Sequence, residues 1–201
     1  MQGTEWHGEP GWRERKRAQT HARIQATAVK LFLKDGFDAV TLDQVAQAAE
    51  VSRRSLFHYF RSKEEIVFSA KAGLGELIAE AVAARPPDEP LLVLAENALK
   101  DMARHFQGPE PRALARLIAR TPALRAGDHA KHEALEQVLA DALAARKGLA
   151  PDAEPVRVTA LVAVAILRHA TEQWLESEAA AGPEVWGQRA FEALRQVVGD
   201  A

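Results

Sequence analysis

The chain has 201 residues, of which 47% are hydrophobic and 27% charged, and its formal net charge is −2. A chain of this length can bury a core without covalent staples, and the absence of cysteine excludes disulfides and thiolate metal sites. No segment reads as a secretory signal or a bilayer span, the longest apolar run being 160–167, so we expect a cytoplasmic protein with no membrane partner.

Charge is divided unevenly along the chain. Residues 1–63 hold 11 Lys and Arg against 7 Asp and Glu, whereas residues 64–201 hold 15 against 21. A positive segment suits contact with the phosphate backbone of nucleic acid, and an acidic remainder does not. The division predicts one DNA-binding module joined to a domain with another task.

The N-terminal segment is expected to be an arm that leads into a first helix. Residues 1–12 contain Gly and Pro with little periodicity and are predicted to be disordered. The basic residues of segment 13–17 either contact the DNA backbone or minor groove, or form a solvated charge run. Apolar residues at helical spacing from Ile24 to Phe32 then predict a helix that ends before Gly36, which supplies a C-cap.

Residues 41–63 are typical of two short helices joined by a tight turn. Thr41 can cap the first helix, and Ser52 can cap the second. Leu56 and Phe60 lie four residues apart on one face of the second helix, so they are expected to face inward. The pattern predicts a helix-turn-helix, a motif whose second helix enters the major groove of DNA.

The exposed face of this second helix is expected to be cationic. Arg53 and Arg54 can form bidentate hydrogen bonds with O6 and N7 of guanine, which makes them the best base-reading candidates. Lys63, at the start of the next helix, is predicted to hold a phosphate and so to position the module without reading sequence. The alternative interpretation is an ordinary helical hairpin whose arginines form a solvated face.

An ordered set of positions joins this segment to the helix before it: Ala28, Val29, Leu31, Phe32, Gly36, Phe37, Val40, Thr41, Val45, Ala46, Val51, Ser52, Tyr59, Phe60, Ser62, Lys63 and Glu64. Over residues 15–68 this set resembles the DNA-binding domain of bacterial transcription regulators of the TetR family. Glu50 departs from the usual pattern, since most members have glycine here, where a positive φ suits the turn.

The TetR resemblance implies a role for each matching position. Phosphate contacts are implied for Thr41, Tyr59 and Lys63. Base or groove contacts are implied for Arg53, Arg54, Ser55, Phe57 and His58. Together with the capping residue Ser52, these residues form the predicted DNA-contacting set, and double-stranded operator DNA is the implied partner.

The remainder of the chain is expected to be helical, because alanine is abundant and strand signals are absent. Proline and glycine divide it into predicted helices over 63–84, 90–106, 112–120, 129–146, 152–177 and 184–198. The predicted fold class is therefore all-α, with a three-helix DNA-binding domain over 13–62 and a second helical domain over 63–201.

The last two predicted helices have more apolar surface than a helix packed on one side needs. A second copy of the chain could cover the excess, and the TetR resemblance implies a two-fold homodimer that places two recognition helices on a palindrome. The predicted dimer interface consists of Leu161, Ala165, Trp186, Phe191, Leu194 and Val198. The alternative is that both helices are central in a monomeric core.

The resemblance also implies that the second domain encloses a small-molecule pocket. Segments 117–148 and 157–174 are similar to the C-terminal domain of TetR members grouped as acyl-CoA-like ligand-binding regulators. The implied pocket is an apolar tube with arginines at its mouth, lined by Phe68, Leu99, Met102, Phe106, Leu117, Ile166 and Trp174. Each of these apolar residues is otherwise interpreted as plain core.

No motif indicates catalysis or a cofactor, since a Gly-rich phosphate loop and a nucleophile elbow are both missing from the sequence. Asp128, His129, His132 and Glu133 could share a helix face as metal ligands, but a solvated polar face is the simpler interpretation. The sequence thus indicates a ligand-responsive DNA-binding regulator, most simply a repressor. The alternative is an α-helical enzyme or ligand carrier that retains a helix-turn-helix-like head.

Overall fold

The structure, a computed structural model, describes residues 11–178 and 181–199. These residues form only α-helices and one short 3-10 helix, which confirms the predicted all-α fold class. In chain order the helices are α1 (Trp12–Asp35), α2 (Leu42–Ala48), α3 (Arg53–Tyr59), α4 (Lys63–Ser69), α5 (Leu74–Ala83), α6 (Leu91–Ala103), the 3-10 helix (Arg104–Phe106), α7 (Pro109–Arg120), α8 (Pro122–Lys147), α9 (Glu154–Glu176) and α10 (Pro183–Gly199). None of these described helices is both long and apolar enough to cross a membrane.

Two compact units divide the chain after Lys71. The N-terminal unit contains α1 to α4, and the C-terminal unit contains α5 to α10. The division falls later than the predicted boundary after residue 62, because α4 packs against α1. Ile66 of α4 is fully buried, and Ser69 accepts a hydrogen bond of 2.9 Å from the side-chain amide of Gln25 in α1. Of the predicted arm over 1–12, residues 1–10 lie outside the described part, and Trp12 already belongs to α1.

The core of the N-terminal unit holds α3 in place. Ile24, Ala28 and Phe32 form the buried stripe of α1, spaced four residues apart. Leu56 and Phe60 of the helix-turn-helix are buried in the same unit, as their spacing predicts. Leu56 lies on the inner face of α3 and Phe60 directly follows the helix as its C-cap, so the polar residues of α3 are left on its other face.

The predicted connecting helix over 63–84 is wrong in one respect, because the chain forms two helices there. α4 ends at Ser69, and α5 begins directly after Gly73, whose φ is 88°. A residue in the left-handed region cannot continue a right-handed helix, and glycine adopts this conformation without the steric cost that a Cβ imposes. The turn at Gly73 therefore separates the last helix of one unit from the first helix of the next.

α8 begins at Pro122, well before its predicted start at residue 129. Proline is tolerated in the first turn of a helix, because its missing N–H has no intrahelical partner there and its fixed φ suits the helix. Leu124, in the same turn, is fully buried. Pro109 begins α7 in the same way, ahead of the predicted start at residue 112. Each of these prolines starts a helix as well as ending the segment before it.

The C-terminal unit is built around one hydrophobic core that α5, α6, α8, α9 and α10 share. Its buried side chains include Ile78, Leu94, Leu139, Val156 and Phe191, one from each of these helices. Removing such apolar surface from water is the main favourable contribution to folding. This core fixes the positions of α9 and α10, the two helices that were predicted to form the dimer interface.

Arginines on α7 hold the C-terminal end of α9. The Arg112 guanidinium donates a hydrogen bond of 2.7 Å to the carbonyl oxygen of Trp174, and it also bonds to the carbonyl oxygen of Ser177. Arg116 donates one of 3.0 Å to the carbonyl oxygen of Leu175. The last carbonyls of a helix have no intrahelical partners and carry partial negative charge, so both arginines stabilise the end of α9.

Candidate nucleic-acid interface

Two side-chain caps build the helix-turn-helix. The Thr41 hydroxyl accepts a hydrogen bond of 3.2 Å from the backbone N–H of Gln44, whose side-chain oxygen accepts one of 2.8 Å from the N–H of Thr41. The Ser52 hydroxyl accepts one of 3.1 Å from the N–H of Ser55. Both caps satisfy amides that a helix start leaves without intrahelical partners. The predicted capping roles of Thr41 and Ser52 are therefore confirmed.

The turn between α2 and α3 ends α2 in a Schellman motif. The N–H of Val51 donates to the carbonyl oxygen of Ala46 at 3.0 Å, and the N–H of Glu50 donates to that of Gln47 at 3.1 Å. Glu50 has a φ of 53° and is the only non-glycine residue of the described ranges with a positive φ. Glu50 thus adopts the positive φ expected at this position, at the steric cost that its Cβ imposes in the left-handed region.

Replacing Glu50 with glycine is expected to stabilise the N-terminal unit by about 1 kcal/mol, because glycine relieves the clash of the Cβ with the backbone. Urea unfolding followed by circular dichroism measures the change. Gly36→Ala is the matched control: Gly36 has a φ of 90° with open space around it, so added strain alone should destabilise this variant. A lower stability of Glu50→Gly would contradict the expectation.

The described structure places most of the predicted DNA-contacting residues on the outer face of α3. Arg53, Arg54, Ser55, Phe57 and His58 are exposed, and we refer to these five residues as the α3 surface. Tyr59 is half-buried, with its ring 5.5 Å from that of His58. Thr41 and Ser52 are exposed at the starts of α2 and α3. The α3 surface offers two arginines, a hydroxyl, an aromatic ring and an imidazole, which are the groups that read base edges and phosphates.

The two arginines of the α3 surface differ in their surroundings. Arg53 Nη1 lies 3.1 Å from Oδ2 of Asp43, a residue of α2, and the Arg53 guanidinium lies 5.6 Å from the centroid of the Phe57 ring. Among the described residues, the Arg54 side chain has neither an ion pair nor a hydrogen bond. Sequence patterns did not point to Asp43, because it is ten residues away along the chain and only the turn brings it next to Arg53.

Lys63 has a structural task besides the predicted phosphate contact. Its Nζ donates a hydrogen bond of 2.7 Å to the carbonyl oxygen of Phe37 and lies 4.6 Å from the centroid of the Phe37 ring. It also lies 3.4 Å from the carbonyl oxygen of Asp38. Lys63 therefore fastens the start of α4 to the turn between α1 and α2, although an ammonium group still has a further proton to donate.

Comparison with known proteins gives the family of both units. Residues 24–70 match the model for bacterial regulatory proteins of the tetR family, and residues 89–198, more than half of the chain, match the model of the MftR C-terminal domain. TcmR of Streptomyces glaucescens, an HTH-type transcriptional regulator, is 32% identical over 175 residues, which cover 82% of this chain and 77% of TcmR. The chain belongs to the TetR family. It is therefore a DNA-binding transcriptional regulator, and its helix-turn-helix is the DNA-binding head of that family.

Solved structures share the TetR-family fold. FadR from Bacillus subtilis, in complex with stearoyl-CoA, has a TM-score of 0.62 at 16% identity, with 87% of this chain and 97% of FadR covered. NalD, the secondary repressor of the MexAB-OprM multidrug efflux pump in Pseudomonas aeruginosa, has a TM-score of 0.61 at 20% identity, with 90% of this chain and 96% of NalD covered. At these identities the likeness concerns the fold alone.

The predicted ligand-lining residues of this TetR-family chain belong to both units. Phe68 belongs to the N-terminal unit, and the other six belong to the C-terminal unit. Leu99 and Ile166 line a cleft of about 30 Å³ between α6, α9 and α10, a volume far below the several hundred Å³ of a ligand pocket. Met102 and Trp174 are buried, whereas Phe106 and Leu117 are half-buried.

The predicted dimer-interface residues separate into two groups. Phe191 is 2% exposed and packs in the core of its own subunit, so its assignment to the interface is wrong. Trp186 and Leu194 are half-buried, whereas Ala165 and Val198 are exposed and Leu161 is 54% exposed. Val158, which the predicted interface omitted, is also exposed, one turn before Leu161 on α9. The outer face of α9 thus exposes an apolar stripe formed by Val158, Leu161 and Ala165.

The polar cluster in α8 is held within its own helix. The His132 ring Nδ1 lies 2.8 Å from the carbonyl oxygen of Asp128, and its distance to the Asp128 carboxylate is 3.7 Å. Over residues 11–178 and 181–199, no three His, Asp or Glu side chains are grouped so that they could hold a metal ion.

Proposed function

We propose that two copies of this TetR-family regulator bind a palindromic operator through α3, and that an apolar effector with an anionic end releases them. The observation that carries the proposal is the α3 surface, which exposes Arg53 and Arg54 on a helix that Leu56 and Phe60 fix from behind. Repression is the simplest outcome, because a bound dimer obstructs a promoter until an effector weakens its hold.

Base reading by the two arginines is testable by substitution. Arg53→Ala and Arg54→Ala are each expected to cost about 1 to 3 kcal/mol at one position per half-site and to relax base preference there. The measurement is selection of sites from a random duplex library, followed by titration of the selected duplex and of random duplex at fixed salt. Lys34→Ala removes an equal charge from exposed α1 outside the predicted contact set and should keep the preference.

Equal losses for selected and random duplex in both arginine variants would contradict base reading and leave only a phosphate role. Lys63→Ala is expected to weaken all duplexes alike. Because its ammonium also bonds to the carbonyl oxygen of Phe37, thermal unfolding must be measured in parallel to separate lost binding from lost stability.

Assembly into a homodimer is supported by the outer faces of the last two helices. Val158 and Leu161 of α9 are 51% and 54% exposed, and Val197 and Val198 at the end of α10 are 72% and 67% exposed. Together with Ala165 they form what we call the α9–α10 face (Val158, Leu161, Ala165, Val197 and Val198). An isologous two-fold contact can cover the same apolar patch on both subunits at once.

The effector is proposed to be a long-chain acyl-CoA thioester. The proposal is supported by the fold shared with FadR, which was solved with stearoyl-CoA, and by the sequence similarity of 117–148 and 157–174 to acyl-CoA-like ligand-binding regulators. Arg112 and Arg116 are cationic groups of α7 in the same unit, and an anionic end of the effector would have to bind them beside the α9 carbonyl oxygens that they already contact. The cleft between α6, α9 and α10 holds about 30 Å³, so an acyl chain that binds in this cleft would require these helices to separate.

A thermal-shift and DNA-release screen tests the effector. Stearoyl-CoA is expected to raise the melting temperature and to weaken the selected duplex by a coupling of about 1 to 3 kcal/mol, whereas free CoA and free fatty acids should do less. Linkage requires the duplex to weaken stearoyl-CoA by the same factor. Release by unrelated planar drugs, with no effect of any acyl-CoA, would remove the acyl-CoA assignment.

A further inference from the structure

The contact between Asp43 and Arg53 joins the two helices of the helix-turn-helix at its DNA-facing side. Oδ2 of Asp43 accepts a hydrogen bond of 3.1 Å from Nη1 of Arg53, and both side chains remain exposed, at 59% and 69%. The ring of Phe57, one turn further along α3, lies 5.6 Å from the same guanidinium and is 42% exposed. Arg53 is thus held between a carboxylate and an aromatic ring.

The geometry leaves the reading edge of Arg53 available. A guanidinium has five N–H donors in a planar fork, and bidentate recognition of guanine needs two neighbouring nitrogens. Because Asp43 bonds to Nη1, the edge formed by Nε and Nη2 has no partner among the described residues. A long side chain held in one position loses less conformational entropy when it binds than a free side chain does.

The negative charge of Asp43 also opposes sequence-independent binding to DNA. A carboxylate on the DNA-facing side repels phosphates, so it opposes sequence-independent binding. At the operator this repulsion is offset by the hydrogen bonds between Arg53 and its matching base. At other sequences Arg53 has no matching base, so the repulsion is not offset. Exposed ion pairs contribute little to folding, so the main consequence of this pair concerns DNA and not stability.

We propose that Asp43 is a positioning residue for base reading: it holds Arg53 in its reading orientation and lowers the affinity for sequences that Arg53 does not match. This inference rests on the proposed function, specifically on base reading by Arg53. Arg54 provides the internal comparison, because it is adjacent on α3 and has no such partner among the described residues.

The test compares Asp43→Asn with the natural chain and with Arg53→Ala. Duplexes are selected from a random library with each protein, and the affinities for the wild-type-selected duplex and for random duplex are measured at two salt concentrations. We expect Asp43→Asn to lose base preference at the position that Arg53→Ala loses, and to keep the preference at the position that Arg54→Ala loses. Its affinity for random duplex should rise about two- to fivefold at the lower salt concentration.

Asp38→Asn is the matched control. Asp38 is exposed in the turn before α2, has the same charge as Asp43, and its carboxylate makes no ion pair within the described residues. Its removal should raise random-duplex affinity through net charge alone and leave base preference unchanged. Thermal unfolding of each variant checks that α2 stays folded, since Asp43 lies in the first turn of α2, where a negative charge stabilises the helix.

The outcomes separate this inference from the function on which it rests. If Asp43→Asn keeps the preference that Arg53→Ala loses, or if Asp38→Asn changes preference in the same way, the positioning role of Asp43 is overturned and base reading by Arg53 stands. If Arg53→Ala itself keeps every preference, base reading fails and the role of Asp43 fails with it. In a protein that carries both Asp43→Asn and Arg53→Ala, Asp43→Asn should have no further effect on base preference, because the arginine side chain that Asp43 positions is absent.

Discussion

Leu161→Arg is expected to give folded monomers that bind the selected palindrome at least about 100-fold more weakly than the natural chain. Leu161 is 54% exposed at the centre of the apolar stripe on α9, so a charge there does not disturb the subunit core. In a two-fold contact the substitution faces its own copy, and two arginines would then be buried close together. Sedimentation velocity measures the state of association, and titration with one half-site and with the full palindrome measures the loss.

Ala134→Arg is the matched control for this variant. Ala134 is an exposed residue in the middle of α8, so the same charge is added to a helix outside the α9–α10 face. The control should remain dimeric and should bind the palindrome as the natural chain does. A Leu161→Arg protein that sediments as a dimer, or a natural chain that is monomeric at micromolar concentration, would show that the α9–α10 face does not mediate assembly.

Phe191→Ala is expected to lower the free energy of unfolding by about 3 to 5 kcal/mol. In contrast to the exposed Leu161, Phe191 contributes to the core. Phe191 is 2% exposed and packs with α6 and α9 in the subunit core, so its truncation leaves a cavity there. Urea unfolding at one fixed protein concentration measures the change, because dimerisation adds to the apparent stability.

Gln196→Ala on the same helix is the comparison for Phe191→Ala. Its side chain is exposed, and the change should stay within about 0.5 kcal/mol. If Phe191→Ala left the free energy of unfolding unchanged but altered the state of association, Phe191 would be an interface residue and not a core residue.

Local signals in the sequence were sufficient to predict the two capped helices of residues 41–63, whereas their interpretation as a DNA-binding motif depended on the resemblance to the TetR family. Thr41 and Ser52 cap helices through amides only three residues away, and Leu56 and Phe60 are related by a single helical turn. Such relations depend on short stretches of backbone, so they can be recognised without knowing the rest of the fold. The capping roles and the inward positions of these residues are accordingly confirmed.

Helix boundaries outside the DNA-binding head were harder to predict, because the same residue type can end one helix and begin the next. Pro122 ends α7 and also starts α8, so a sequence reading that treats it only as a stop shortens the following helix. Gly73 lies in an apolar, alanine-rich segment that continues a helical pattern, and only its φ of 88° shows the interruption. Both differences arise from backbone conformations that composition does not determine.

Contacts between distant segments could not be predicted from the sequence. Phe191, Val197 and Val198 are all apolar residues of α10, yet Phe191 is buried in the core while the two valines are exposed. Helical periodicity identifies an apolar face but not what covers it. Asp43 and Arg53 are likewise brought together by the turn between their helices.

The small cleft between α6, α9 and α10 has a kinetic consequence for any effector that occupies it. With about 30 Å³ available, such a molecule binds only the fraction of subunits whose helices have separated, and its apparent affinity is reduced by that fraction. The observed rate of association should then level off as effector concentration rises, at the rate at which the helices open. The speed of the transcriptional response would be set by the protein's own motion, and adding more effector could not shorten it.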